Sequence, residues 1–330
     1  MDRIAFIINE TFIYWGPVML TLATVVTICF FLAFYLGKSG NGLAAACMIP
    51  LSLVSSLYLA RLIHWYCSAD SYASMTAALE NLTVGNFALM GVFAACILCA
   101  CLLRLLQISK NLPEMLDCMA LAGAAGVAIG RLASLFNTSD RGMLMVNYTE
   151  LPVVYPVSNA VTGAVEYRLA TFMFQAITTG IIFLALLVLW TAGRKNNKLK
   201  DGDTCLLFLL LYGACQIVLD STRYDSLFMR SNGFISIVQI LGCVAMVLPL
   251  VLFSIRMVKA MRFRFWFLFI WLAILGCLGG AGYMEYHVQR HGDQAAFAYT
   301  VMSSCLAGAV VLILLIRLLA VLRERRDAEV

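Results

Sequence analysis

Four pairs of polar residues stand where long apolar stretches of this chain meet its polar loops: Arg61 with His64, Arg131 with Asn137, Glu166 with Arg168, and Asp220 with Arg223. Ionisable groups inside or against hydrocarbon are costly, and they usually pair with one another or mark a site. Two of the four set an arginine beside an acid, and an arginine recurs in all four. A guanidinium offers a fixed fork of donors that suits phosphate oxygens, so several arginines at one level are what binding a phosphate-bearing headgroup needs. A single arginine at a helix end is also explained by snorkelling toward the interface. Arg131 fits that explanation least, because it follows Gly126-Val127-Ala128-Ile129-Gly130 and has no polar neighbour until Ser134.

The elements that must carry these residues follow from composition. Hydrophobic residues make up 62% of the 330 and charged residues only 12%, with a mean hydropathy of +0.90, outside the range of a water-soluble domain. A helix needs roughly 20 mostly apolar residues to cross the hydrocarbon layer. Such stretches occur near Phe12 to Leu36, Leu43 to Trp65, Phe87 to Gln107, Met115 to Phe136, Leu169 to Trp190, Cys205 to Leu219, Phe234 to Met257, Phe265 to Tyr283 and Tyr299 to Val321. None shows the period-two alternation of barrel strands. The expected fold is all-α: a polytopic integral membrane protein of about nine transmembrane helices. Fifteen of the 23 Lys and Arg fall on alternate connections and the C-terminal tail, which places the N-terminus outside and the C-terminus in the cytoplasm. All four polar pairs then lie in the outer half of the membrane. Met1 to Glu10 is nearly neutral and the apolar run after it is too long for a signal core, so the first span is expected to stay in the protein.

Several function classes recede on the same grounds. The net charge of +5 is a topology signal and not a nucleic-acid footprint. Cys96, Cys99 and Cys101 lack a partnering His or second Cys pair, so neither a metal site nor a cofactor is expected. His287 and His291 have helical spacing but read as a solvated turn beside Gln289, Arg290 and Asp293. No repeat of 20 to 50 residues appears, which disfavours an inverted-repeat transporter.

At the polar pairs the sequence resembles a family, the bacterial prolipoprotein diacylglyceryl transferases. The run Asn111-Leu112-Pro113-Glu114-Met115-Leu116-Asp117, then Ala128-Ile129-Gly130-Arg131-Leu132 and Phe136-Asn137, is similar to that family's "LP…LD…AIGRIGNFxNGE" region. Tyr14-Trp15-Gly16 resembles its opening W-Y-G, Ala60-Arg61-Leu62 its "GARL" motif, and Tyr212-Gly213 with Asp220 and Arg223 its "YGxxRFxxEFFR". The likeness runs from about Phe12 to Leu252, which divides the chain into a seven-helix domain, 1–258, and a two-helix addition with a basic tail, 259–330.

The departures fall on polar positions. Asn86 stands where the family's "HGGLLG" has its His, Gln216 where "YGxxRF" has its Arg, Ser134 at the first Asn of "GRIGN" and Ser139 at the acid of "NGE". Arg131, Asn137, Gly142 and Arg223 keep their places, and Asp220 stands for the usual Glu. The resemblance implies transfer of a diacylglyceryl group from phosphatidylglycerol, or a similar anionic phospholipid, to the lipobox cysteine of a prolipoprotein signal peptide, in the bacterial cytoplasmic membrane. Such chemistry needs cations for the phosphate leaving group and a base to form the nucleophilic thiolate. Arg61, Arg131, Asn137, Arg223, Gln216 and Asn86 are the expected headgroup-binding residues. His64 and Asp220 are the expected catalytic residues, with Glu166 a further candidate base. The alternative implied by the replaced His and Arg is a non-catalytic lipid- or partner-binding protein on the same fold.

Overall fold

A computed structural model describes residues 4–8, 11–82, 86–146, 153–158, 163–195, 199–229, 232–291 and 294–328. Its helices are α1 (Trp15–Ser39), α2 (Gly42–Cys67), the short α3 (Met75–Glu80), α4 (Leu89–Leu105), α5 (Leu112–Arg131), α6 (Thr171–Lys195), α7 (Asp203–Ser221), α8 (Ile237–Met261), α9 (Trp266–His291) and α10 (Ala295–Ala328). Eight of the described helices are long and apolar enough to cross a membrane. The remaining apolar helix, α4, has 17 residues and rises about 26 Å, close to the ~30 Å of a bilayer's hydrocarbon core. These nine follow the nine expected spans in order, with ends moved by between one residue and eight, the largest at the end of α9, His291 in place of Tyr283. Large apolar side chains such as Leu20, Val54, Leu98, Ile181 and Leu184 are exposed on the helix surfaces, a surface compatible with lipid tails and not with water.

Contacts divide the chain into two compact units, Met1–Phe208 with Thr222–Val238, and Leu209–Ser221 with Gln239–Val330. In the first, α1 packs on α5, α2 on α4, and α5 on α6. Small residues let the backbones approach: a Cβ built on Gly91 of α4 would lie 2.3 Å from the Cα of Ala60 on α2, so only glycine fits there. One end of this unit is closed by polar ties. Asn41 caps α2 by accepting from the Ala44 N–H at 3.1 Å, Asn111 donates to Asp201 at 2.7 Å, and Lys38 pairs with the same Asp201. The buried carboxylate of Asp117 accepts the backbone N–H groups of Gly202 at 2.7 Å and Cys205 at 2.8 Å, satisfying donors that the first turn of α7 would otherwise leave orphaned.

In the second unit α9 lies along α10, and the Tyr299 hydroxyl donates to the Ser221 carbonyl at 3.1 Å. The helix α9 continues through His291, so His287 sits on a helix and the expected turn begins only after it; the side chain of His291 lies outside the described residues.

The connections hold strands that the all-α expectation lacked. Among the described residues three antiparallel two-stranded sheets form: β1 (Ile4–Ile8) with β2 (Thr11–Tyr14), β3 (Val154–Ser158) with β4 (Val165–Leu169), and β5 (Phe228–Met229) with β6 (Asn232–Ser236). Glu166 and Arg168 therefore lie on β4 and do not open the fifth span, which starts at Thr171. Two residues apart on a strand, they share a face and pair at 2.7 Å.

Candidate functional site

Arg131 is the last residue of α5, and a short 3-10 turn, Leu132–Leu135, carries the chain out of the helix. The loop then doubles back. Asp140 has φ +56, a left-handed conformation that a short polar residue tolerates. Its Oδ1 accepts from Arg131 Nη1 at 2.8 Å and from Arg223 Nη2 at 2.9 Å, while Oδ2 accepts from the Ser134 hydroxyl at 2.9 Å. Arg223 also pairs with Asp225 at 3.0 Å, and the Asp225 carboxylate accepts the Asp140 backbone N–H at 2.9 Å. Burial alone would push the Asp140 carboxyl up. The guanidiniums of Arg131 and Arg223, with Ser134, outweigh it and hold the group down to about 2, against an ordinary 3.8. Two like charges are thus gathered around one shared anion, charge-assisted and partly shielded from solvent.

The backbone around this cluster is tightly specified. Gly142 donates to the Leu169 carbonyl at 2.7 Å and bridges Arg223 in an antiparallel pair. A Cβ on Gly142 would fall 2.5 Å from Thr171 Oγ1, which explains why a glycine stands there. Asn137 forms a turn, its Oδ1 accepting the Ser139 N–H at 3.0 Å. The buried guanidinium of Arg141 packs on the rings of both Tyr155 and Phe172, at 4.4 and 4.5 Å, and donates to the Ser134 and Asn137 carbonyls. It ties the loop to β3 and α6.

A second cluster forms where α2 ends. Arg61, 1% exposed, donates from Nε to the Ala78 carbonyl at 2.9 Å, from Nη2 to the Asn81 carbonyl at 2.8 Å, and from Nη1 to both the Asn86 carbonyl and the Tyr72 hydroxyl at 3.0 Å. Its guanidinium also stacks on Tyr72 and Phe87. Tyr72 in turn meets His64 Nδ1 at 2.8 Å. The loop carbonyls that close over α2 thus take donors of Arg61, the residue expected at the headgroup. Asn86 joins this cluster through its backbone carbonyl, and its side chain is exposed.

The structure therefore brings Arg131 and Arg223 together, with Asn137 in the adjoining turn, and gathers Arg61, His64 and Asn86 into a separate cluster of the same unit. The helix α2 also packs against β5, the strand that follows Arg223 and Asp225. Asp220 and Gln216, both fully buried, belong to the second unit. Sequence reasoning missed Asp140, Asp225 and Tyr72. For Asp140 a signal existed: it is the acid one position beyond Ser139.

The family model for prolipoprotein diacylglyceryl transferase matches residues 3–255, a range that holds both clusters. A phosphatidylglycerol--prolipoprotein diacylglyceryl transferase of Finegoldia magna is 25% identical over 269 residues, 79% of this chain and 99% of its own. One of the same name from Parasynechococcus marenigrum is 27% identical over 224 residues, 64% of this chain and 77% of its own. A third, from Streptococcus equi subsp. zooepidemicus, is 29% identical over 131 residues, 39% and 49% of the two chains. With collinear motifs, nine apolar helices in the expected order among the described residues and a family match over residues 3–255, the chain belongs to the prolipoprotein diacylglyceryl transferase family.

Proposed function

We propose that this protein is a multi-pass enzyme of the bacterial cytoplasmic membrane that transfers the diacylglyceryl group of phosphatidylglycerol to the lipobox cysteine of prolipoproteins. In the reaction the cysteine sulfur attacks the glyceryl carbon that bears the phosphate ester. A C–S bond forms, the C–O bond breaks, and the electron pair leaves on the phosphate oxygen as glycerol phosphate. The cysteine's proton passes to a base before or during attack, since the thiolate is the nucleophile.

The observation that carries this reading is the convergence of Arg131 and Arg223 on Asp140, inside the region matched by the family. Guanidiniums held in fixed positions stabilise charge that develops on a departing phosphate, and the shared carboxylate offsets the repulsion between the two cations. In this reading Arg131 and Arg223 bind the phosphate and Asn137 shapes the turn beside them. Arg61 is assigned instead to the loop over α2, where Asn86 is also held by its carbonyl. The resemblance, and not geometry, supports Asp220 as the base for the thiol and Gln216 as a headgroup contact. The orientation, N-terminus outside and C-terminus cytoplasmic, rests on the distribution of Lys and Arg, and the division into 1–258 and 259–330 rests on the extent of the motifs.

The test is complementation in a bacterial strain depleted of its own diacylglyceryl transferase, with the acceptor cysteine followed by mass spectrometry. Diacylglyceryl-modified lipoprotein with the wild-type chain, lost on Arg131→Ala at unchanged membrane expression, supports the reading. Absence of modification with lipoproteins from the native source, at full expression, overturns it in favour of the non-catalytic reading.

A further inference from the structure

We propose that Tyr72 is a positioning residue that fixes the neutral His64 ring as its Nε2–H tautomer, so that His64 offers a hydrogen-bond donor, and not a base, to a phosphate oxygen of the lipid headgroup. This deepens the transferase reading and rests on it for the identity of the ligand.

The direction of the hydrogen-bond chain is fixed at one end. A guanidinium has no acceptor, so in the 3.0 Å contact Arg61 Nη1 donates and the Tyr72 oxygen accepts. The other Nη1 contact, to the Asn86 carbonyl, and those of Nε and Nη2 to Ala78 and Asn81 hold the guanidinium in place. The Tyr72 hydroxyl has its own proton to place, and among the described residues its second partner is His64 Nδ1, at 2.8 Å. Placing the proton there satisfies both groups. The reverse assignment, Nδ1–H donating to a Tyr72 oxygen already bonded to Arg61, leaves the hydroxyl proton without a described acceptor in a part-buried setting, an arrangement that costs up to about 1–3 kcal/mol where solvent does not reach. The tautomer of an imidazole follows from the bond its other nitrogen makes. With Nδ1 accepting from Tyr72, the proton sits on Nε2, the nitrogen that no described protein group engages.

The ring stands edge-on to Tyr72, with 85° between their planes and 5.8 Å between centroids. His64 is 8% exposed. A neutral imidazole with Nε2–H cannot take a thiol proton at Nε2, so the histidine does not serve as the base that its residue type invites. It can donate to an oxygen that gains negative charge as the C–O bond breaks. Loss of one such donor lowers turnover by about 100-fold to 1,000-fold.

The experiment is 15N solid-state NMR of histidine-labelled full-length protein in bilayers, with the His64 signals identified among the three histidines by subtraction of the His64→Gln spectrum. The expected wild-type result is an unprotonated, hydrogen-bonded Nδ1 and a protonated Nε2. Tyr72→Phe, which keeps the ring on Arg61 and removes only the hydroxyl, should give a mixture of tautomers. A wild-type His64 protonated at Nδ1, or a tautomer unchanged in Tyr72→Phe, overturns the proposal. In bilayers of neutral glycolipid, added phosphatidylglycerol should shift the Nε2 signal; a shift with inorganic phosphate in the buffer and none with the lipid overturns the headgroup assignment. Turnover supplies the last arm. His64→Gln, whose amide N–H reaches the Nε2 position, should stay within about tenfold of wild type and His64→Ala should not; equal losses overturn the donor role. Because the tautomer is read without turnover, a protein that transfers nothing yet shows the expected spectrum refutes the transferase reading and leaves the Tyr72–His64 relationship standing.

Discussion

Arg131 and Arg223, one at the end of α5 and the other just after α7, donate to the same oxygen of Asp140 at 2.8 and 2.9 Å. Each guanidinium is thereby fixed relative to the other through a single atom. Displacing that atom, or removing its charge, should uncouple the pair.

Asp140→Asn keeps the size of the side chain and removes the charge. Breaking a buried ion pair by neutralising one partner destabilises by about 3–5 kcal/mol, and the two arginines then repel. We expect transfer to fall at least about 100-fold, since each 1.36 kcal/mol is a factor of ten in rate. The measurement is turnover with purified protein in phosphatidylglycerol micelles, beside Ser139→Glu/Asp140→Ser, which restores the acid at the family's position and should recover part of the activity.

The same carboxylate sets an acid limit. Its value is depressed, from 3.8 to about 2, so the folded state binds the proton less well than the unfolded chain does. Its contribution is complete above about pH 4 and is lost as the pH falls through about 2, the unfolded state then holding more protons. The expected size is about 2 kcal/mol. Thermal unfolding in detergent between pH 5 and pH 2 should show a fall that Asp140→Asn largely lacks; parallel curves would refute the assignment.

Asp117 does its work at the opposite end of the first unit, on the N–H groups of Gly202 and Cys205. Asp117→Ala should lower stability by about 1–3 kcal/mol, the scale for losing charge-assisted bonds to a helix start. Asp117→Asn, which still accepts one bond, should lower it less. Both should keep the phosphatidylglycerol KM of the wild type, read under conditions where the variants remain folded.

Gly91→Ala tests the α2–α4 contact. A methyl group 2.3 Å from the Ala60 Cα must drive the helices apart, at a cost of about 1–3 kcal/mol or more. Ala60→Gly in the same chain relieves nothing, because the near atoms are backbone, so the double variant should remain as unstable as Gly91→Ala alone.

The helices were legible because a bilayer demands about 20 apolar residues, and runs such as Leu43 to Trp65 against the observed Gly42–Cys67 leave little freedom. Strands of two to five residues in the connections carry no comparable signal: Val154–Ser158 contains a proline, and its partner Val165–Leu169 carries Glu166 and Arg168. Residue type singled out Arg131 and Arg223, the two guanidiniums that meet on Asp140. It did not single out Asp140, because the acid has moved one position along and only the turn at φ +56 returns it to the arginines. At Arg61 the residue type pointed to phosphate, and its bonds to the carbonyls of Ala78, Asn81 and Asn86 depend on a loop path that spacing does not encode.

The sequence separation of the Asp140 contacts also bears on how the chain enters the membrane. Arg131 finds its counterion nine residues downstream, within a segment that leaves the ribosome moments later, whereas Arg223 reaches the same oxygen only after α6 and α7 have been synthesised. The Arg131–Asp140 pair therefore closes a short local loop, whereas the Arg223–Asp140 contact must wait for a segment made after α6 and α7.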